Sequence, residues 1–232
     1  MIEEPPLLRV RTGVQRPNDA QISAFQGVPT GFVNDALDGA GALSRNISLL
    51  GEGSDLPSQA AGPALSVECR PGDILPLLGA LPQIRPGDIV VNAFGGYQGA
   101  ATAGDRVTGM MRNCGAVGFV TDGPVRDYEG LVGIGLPVWC TGLIPASPLS
   151  KSAGRVGFPV QIGGQEIETG DMIVADRDGV VVVPFEQIDD VIERLTKITA
   201  LETALDAEVA DGLKVPPAIL EFLESNQVHY EE

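Results

Sequence analysis

The stretch 88–127, DIVVNAFGGYQGAATAGDRVTGMMRNCGAVGFVTDGPVRD, decides the fold. It opens on a run rich in β-branched and apolar residues, Asp88 to Phe94, that reads as a buried strand. Gly95 to Gly104 follows as a glycine-rich loop. Beyond it Val107, Met110, Met111 and Cys114 recur at i, i+3, i+4 and i+7, the spacing of an amphipathic helix. Gly115 ends that helix and Ala116 to Thr121 reads as a second strand. The turn Asp122-Gly123-Pro124 then delivers Arg126 and Asp127. Strand, loop, helix and strand in this order make a crossover unit, and such units set the residues that follow each strand at one edge of the sheet. Asp105, Arg126 and Asp127 are therefore expected to converge.

Outward from this unit the pattern is that of one α/β domain. Residues 1–17 read as an extended N-terminal arm and 18–232 as the domain. Asn18 or Asp19 is placed to cap a first short helix, and a second begins at Thr30 with Phe32, Val33, Ala36 and Leu37 on one face. Residues 41–62, rich in Gly and Ser, read as a loop. Ala64 to Cys69 is a strand and Ile74 to Leu81 a short helix. Pro137 to Cys140 and Val156 to Ile162 are further strands. Met172 to Ala175 and Val180 to Val183 flank Asp178-Gly179 as a hairpin. Pro184 precedes a long helix over 186–210, and a terminal helix spans 217–224.

Composition narrows the function. The 31 acidic against 15 basic side chains give a formal charge of -16, which repels phosphate backbones and anionic lipid, so neither nucleic acid nor a membrane is an expected partner. The first residues lack the cationic start and apolar run of a secretory signal, and Cys69, Cys114 and Cys140 suit free thiols in a reducing compartment. The expected location is the cytoplasm.

Elimination narrows the chemistry. The single histidine, His229, is close to the C-terminus, so a Ser-His-Asp triad and a multi-histidine metal site are excluded within one chain. Any metal must be held by oxygen, which favours Mg2+ or Mn2+. Gly99 and Gly104 imitate the opening of a P-loop, but Asp105 stands where a nucleotide-binding loop needs Lys. The loop does set backbone N–H groups at a helix N-terminus, where a carboxylate or enolate oxygen is well received. A tight connection serves as an equal explanation of the same glycines. Asp105 alone reads as a helix cap, and Arg126 with Asp127 as a surface ion pair; their expected convergence is what marks them as a site. In the long helix Val191, Leu195, Ile198, Leu205 and Val209 form an apolar seam that Glu202 interrupts. A carboxylate in a seam is aimed at a site or a subunit interface, unless the seam bends and leaves it in solvent.

Within Asn92 to Cys140, Gly95-Gly96, Gly104-Asp105 and Asp122 to Asp127 resemble the 4-hydroxy-4-methyl-2-oxoglutarate aldolase family, which includes the regulator of ribonuclease activity A. The likeness extends from VPTGFVNDAL at Val28 through AGPALSV and RPGDIVV to GDMIVADRDGVVVVP and the helix ending near Gly212. Its most specific element is Asp105 followed, after twenty residues, by Arg126-Asp127. The resemblance implies a swivelling β/β/α sandwich, assembled as a trimer or hexamer with active sites at subunit interfaces, and a metal-dependent pyruvate aldolase with oxaloacetate decarboxylase side activity. It implies that Asp127 holds Mg2+ or Mn2+, that Asp105 reaches the metal through water, and that Arg126 binds the 2-oxo acid and stabilises its enolate. Backbone amides of Gly95, Gly96, Gly99, Ala100, Ala101, Thr102, Ala103 and Gly104 hold the pyruvyl carboxylate in that scheme. Glu202 is the carboxylate given by a neighbouring subunit, and Glu129 a further acidic candidate. The alternative is a non-catalytic regulator whose acidic surface engages a protein partner. A methyltransferase acting on menaquinone precursors lacks the expected glycine motif for its nucleotide.

Overall fold

The computed structural model describes residues 6–51 and 54–231. In chain order the elements are β1 (Leu8–Val10), α1 (Asp19–Ala24), α2 (Thr30–Ala36), β2 (Ser48–Leu49), β3 (Ala60–Glu68), α3 (Leu75–Ala80), β4 (Ile89–Ala93), α4 (Asp105–Asn113), β5 (Gly118–Thr121), α5 (Tyr128–Ile134) and β6 (Val138–Cys140). They continue as β7 (Gly154–Val156), β8 (Val160–Ile162), β9 (Gln165–Ile167), β10 (Met172–Ala175), β11 (Val180–Val183), α6 (Ile188–Ala210) and α7 (Pro217–Leu223).

Strand β3 organises the layers. Its second half pairs in parallel with β4, Ala64 opposite Ile89 through Glu68 opposite Ala93. Its first half pairs antiparallel with β10, Ala60 opposite Ala175. One strand thus passes from one sheet layer into the other, and the path β1-β7-β3-β4-β5-β6-β2 carries β10 and β11 as a branch. Three apolar cores fill the spaces between layers. Val90, Phe94, Met111, Phe119 and Leu131 pack between the central sheet and α3 to α5. Ile89, Val91, Val120, Trp139, Ile162 and Ile173 pack between the two sheet layers. Phe25, Val33, Met172, Val181, Val191 and Leu195 pack the branch strands against α1, α2 and α6. The result is a mixed α/β sandwich with a long C-terminal helix.

The expected crossover is present: β4, β5 and β6 run parallel, so the segments after them share one sheet edge. Four readings need correction. The strand expected from Ala64 begins at Ala60. A Cβ on Gly62 would lie 2.1 Å from the Gly87 carbonyl oxygen, so glycine at this position is a requirement of sheet packing and not a loop signal. The loop expected over 41–62 also contains β2, which pairs with β6. The single strand expected over Val156 to Ile162 breaks at Gly157-Phe158-Pro159 into β7 and β8, because proline cannot donate to a ladder. Helix α5 carries Gly130 and Gly133, which hide it from helical spacing. Within the span read as an arm, Leu8–Val10 pairs in parallel with β7, while residues 1–5 lie outside the described residues.

The three cysteines are free. Burial pushes the Cys69 thiol up to about 12 and the Cys140 thiol to about 11, so neither is a nucleophile at neutral pH. Among the described residues no helix is long and apolar enough to cross a membrane.

Candidate active site

The glycine-rich loop leaves β4 through Gly95 and Gly96, both left-handed at φ +69° and +65°, a conformation that glycine adopts without steric penalty. Asp122, at the end of β5, fixes that departure: its carboxylate accepts from the Phe94 amide at 2.5 Å and the Gly96 amide at 2.7 Å. Gln98 Nε2 donates to the carbonyls of Gly96 and Asp122, and Thr141 donates to Gln98 Oε1. Further on, the amide of Ala101 donates to Ala146, that of Thr102 to Pro124, and that of Arg126 to Ala103. The second half of the loop is buried and is joined at Thr102 and Ala103 to the segment that carries Arg126.

That joining places Gly104, the N-cap of α4, directly against Arg126 and Asp127. A Cβ on Gly104 would lie 2.3 Å from Asp127 Oδ2 and 3.1 Å from Arg126 Cγ, so a side chain there would push the Asp127 carboxylate out of its place. Asp127 is itself left-handed, at φ 62° and ψ 49°, a backbone that costs a non-glycine residue about 1–3 kcal/mol and that clusters at functional sites. Its Oδ2 lies 3.3 Å from Arg126 Nε, and Arg126 Nη1 donates to Ser147 Oγ at 2.6 Å. Asp105 opens α4, and its Oδ1 accepts from the Arg106 amide at 2.7 Å. Gly130 of α5 faces Asp105 closely: a Cβ there would come within 2.8 Å of Asp105 Oδ2. Gly104, Asp105, Arg106, Val107, Arg126 and Asp127 line a cavity of about 330 Å³. Three expected site residues, Asp105, Arg126 and Asp127, are therefore together at the positive end of a helix.

The remaining candidates are placed elsewhere. Gly95 lines a different cavity, and Gly96 with Gln98 and Asp122 lines a third. The amides of Gly96, Ala101 and Thr102 are engaged within the chain, and of the expected loop residues only Gly104 lines the 330 Å³ cavity, beside the first turn of α4. Glu129 is exposed on α5 and does not line that cavity. Tyr128 donates to Asp55, and that hydrogen bond holds the Asp55 carboxyl below its ordinary range. Glu202 is half-buried on α6, apart from the cavity within this chain. The seam containing it is buried at Val191 and Leu195 but exposed at Leu205 (41%) and Val209 (56%), as is the adjoining Leu201 (70%).

The sequence model of the RraA-like family, described as Aldolase/RraA, matches residues 30–182. The chain belongs to the RraA-like family. The matched span contains Asp105, Arg126 and Asp127 and ends before α6, so Glu202 lies outside it. A Halalkalibacterium halodurans protein, provisionally named a 4-hydroxy-4-methyl-2-oxoglutarate aldolase, is 36% identical over 200 residues, covering 86% of this chain and 93% of its own. A crystal structure of a Pseudomonas syringae protein superposes with a TM-score of 0.75 at 23% identity, over 87% of this chain and 97% of that one. Streptomyces coelicolor RraAS2, described as an unusual member of the RNase ES inhibitor RraA protein family, gives a TM-score of 0.73 at 26% identity, over 83% and 100%.

The donor set of this RraA-like chain can be tested against a divalent metal. Among the described residues no group of three or more His, Cys, Asp or Glu side chains could hold an ion. Asp105 and Asp127 do line one cavity, and two hard carboxylates suit Mg2+ or Mn2+, ions that keep several waters and accept oxygens from a substrate. The residues fit a partly hydrated ion and not a fully caged one.

Sequence reasoning missed Asp122, Ser147 and Gly130. Asp122 is legible in one respect: it follows β5 at the same edge as the glycine-rich loop, where the sequence pattern marks only a turn. Its burial raises the carboxyl above the usual range, against the lowering effect of the Phe94 and Gly96 amides. Ser147 is far from the motif in the sequence, and Gly130, close behind it, reads locally as a helix breaker, so neither gives a signal.

Proposed function

We propose that the chain is a metal-dependent aldolase that cleaves a 4-hydroxy-2-oxo acid to pyruvate and a second carbonyl product. The observation that carries this reading is the convergence of Arg126, Asp127 and Asp105 with the N-terminus of α4 around one cavity. In this reading the substrate carboxylate rests against the first-turn amides of α4, of which Arg106 is already engaged by Asp105. Arg126, steadied by Ser147, sets its guanidinium beside the 2-oxo oxygen. Charge that develops there as the C3–C4 bond breaks is met by a fixed positive group. Asp105 is the carboxylate placed to receive, through water, the proton leaving the C4 hydroxyl. Mg2+ or Mn2+ held by Asp127, with Asp105 acting through water, would supply Lewis-acid polarisation of the 2-oxo group. Oxaloacetate loses carbon dioxide to give the same pyruvate enolate, so oxaloacetate decarboxylation is the expected side activity.

The active form in this reading is a homo-oligomer, a trimer or hexamer, with Glu202 given by a neighbouring copy. Its support is the bare apolar face of Leu201, Leu205 and Val209 on α6 and of Ile219, Leu220 and Phe222 on α7. A second reading, regulation through binding of a basic protein segment, is favoured by the formal charge of -16 and by the description of the Streptomyces relative.

The test is pyruvate release from 4-hydroxy-4-methyl-2-oxoglutarate and from oxaloacetate with added Mg2+. Wild type should turn over at least one of them, and Arg126→Ala and Asp127→Ala should each lose about 10²–10³-fold. Folded, metal-supplemented protein that turns over neither compound would sink the aldolase reading and leave the regulatory one ahead.

A further inference from the structure

A cavity of about 880 Å³ lies away from the α4 site, between β1, the end of β3 and β7. It shares no lining residue with the cavity at α4. In a chain of formal charge -16 its walls collect Arg9, Arg70 and Arg155. Beside it the guanidinium groups of Arg9, Arg11 and Arg155 lie 5.1, 4.4 and 5.7 Å from the ring centroid of Phe158.

Three cations gathered about one ring repel each other, and two carboxylates are on hand to offset them. Glu68 is bonded to Arg155, its cross-strand neighbour on β7. Glu166 accepts from Gln161 Nε2 at 2.7 Å. Arg9, Arg11 and Arg70 have no carboxylate partner within ion-pair distance among the described residues. A guanidinium beside an aromatic ring keeps N–H donors available at its edge, and that edge matches the paired oxygens of a carboxylate or a phosphate.

We propose that this cavity is a second binding site, for a small anion with at least two negative charges presented by carboxylate or phosphate groups. Arg9 and Arg70 are the charges left to receive it, and Phe158 holds Arg9 and Arg11 in place. Gly95 forms part of the wall, so an occupant would touch the first residue of the loop whose last residue, Gly104, borders the α4 cavity. The site is independent of the aldolase reading.

Calorimetric titration of the full chain with inorganic phosphate and, separately, with citrate tests this, in a low-salt buffer against sodium chloride at matched ionic strength. Saturable binding of one anion per chain is expected for at least one of the two, and which one binds tells phosphate from carboxylate recognition. Arg9→Gln, on the exposed edge strand, and Arg70→Gln should each weaken it about tenfold with unchanged melting temperature. Arg126→Ala should bind as wild type does. The proposal is overturned if neither anion binds beyond the chloride control, if folded Arg9→Gln and Arg70→Gln both bind as tightly as wild type, or if Arg126→Ala alone abolishes binding.

Discussion

Helices α4 and α6 both announce themselves by an apolar stripe, yet the chain treats the two stripes differently. Along α4, Met111 is fully buried and Val107 and Cys114 pack against the same core, so one chain covers most of the stripe and leaves Met110 and the N-terminus open. Along α6 the stripe is buried through Leu195, half-buried at Ile198, and then runs on exposed at Leu205 and Val209. A stripe therefore states that a face is to be buried and says nothing about what buries it. The cavity at α4 is formed within one chain; the end of α6 is an apolar face that this chain leaves exposed.

The strongest test of that contrast is to charge the bare face. Leu205→Glu with Phe222→Glu should leave a folded chain, reduce the assembly to monomers in sedimentation, and lower pyruvate release about 10²-fold if Glu202 must come from a neighbour. An oligomer that persists unchanged would show that this face is not the contact. Next in size is Leu195→Ala in the covered half, with an expected loss of about 2–5 kcal/mol in denaturant unfolding. Leu205→Ala in the dissociated chain should change stability by no more than about 0.5 kcal/mol. Equal effects at the two positions would erase the contrast.

Asp122→Asn probes the α4 side of the comparison. The amide keeps one acceptor oxygen for two backbone donors, so the loop should loosen by about 1–3 kcal/mol, seen as a higher KM with a modest fall in melting temperature. An unaltered KM would assign the loop's position to its other hydrogen bonds. The smallest effect concerns pH. Burial lifts Asp171 to about 6 even though it accepts from the Glu168 and Phe185 amides, and lifts Asp122 in the same direction. With an unfolded value near about 3.9, the folded chain holds the extra proton between about pH 4 and 6, so this contribution is full below that window and is lost as pH rises through it. The melting temperature of Asp171→Asn should accordingly vary less across that range than that of wild type; parallel curves would remove Asp171 from the account.

The crossover and its three converging residues were legible because glycine and proline punctuate 88–127 and the helical spacing between them is unbroken. What escaped did so for identifiable reasons. The start of β3 is disguised by Gly62 and Pro63, residues that signal loops locally, and Gly62 is required there by the close approach of Gly87. Helix α5 is disguised by Gly130, whose missing side chain makes room for Asp105. Asp122 was visible but unassigned, since a sequence shows that an aspartate follows a strand and not which amides it will meet. Glu202 was singled out by its interruption of the seam, and the same spacing could not tell a neighbouring chain from solvent.

Gly104 and Gly130 bear on how mutational data for this chain should be read. Each occupies the place where a neighbour's carboxylate sits, Asp127 in one case and Asp105 in the other. Survey by alanine replacement is designed to remove groups, and at these two positions it adds one instead. In a saturation library both should be as intolerant as the aspartates they face, although neither has a side chain with which to touch a substrate.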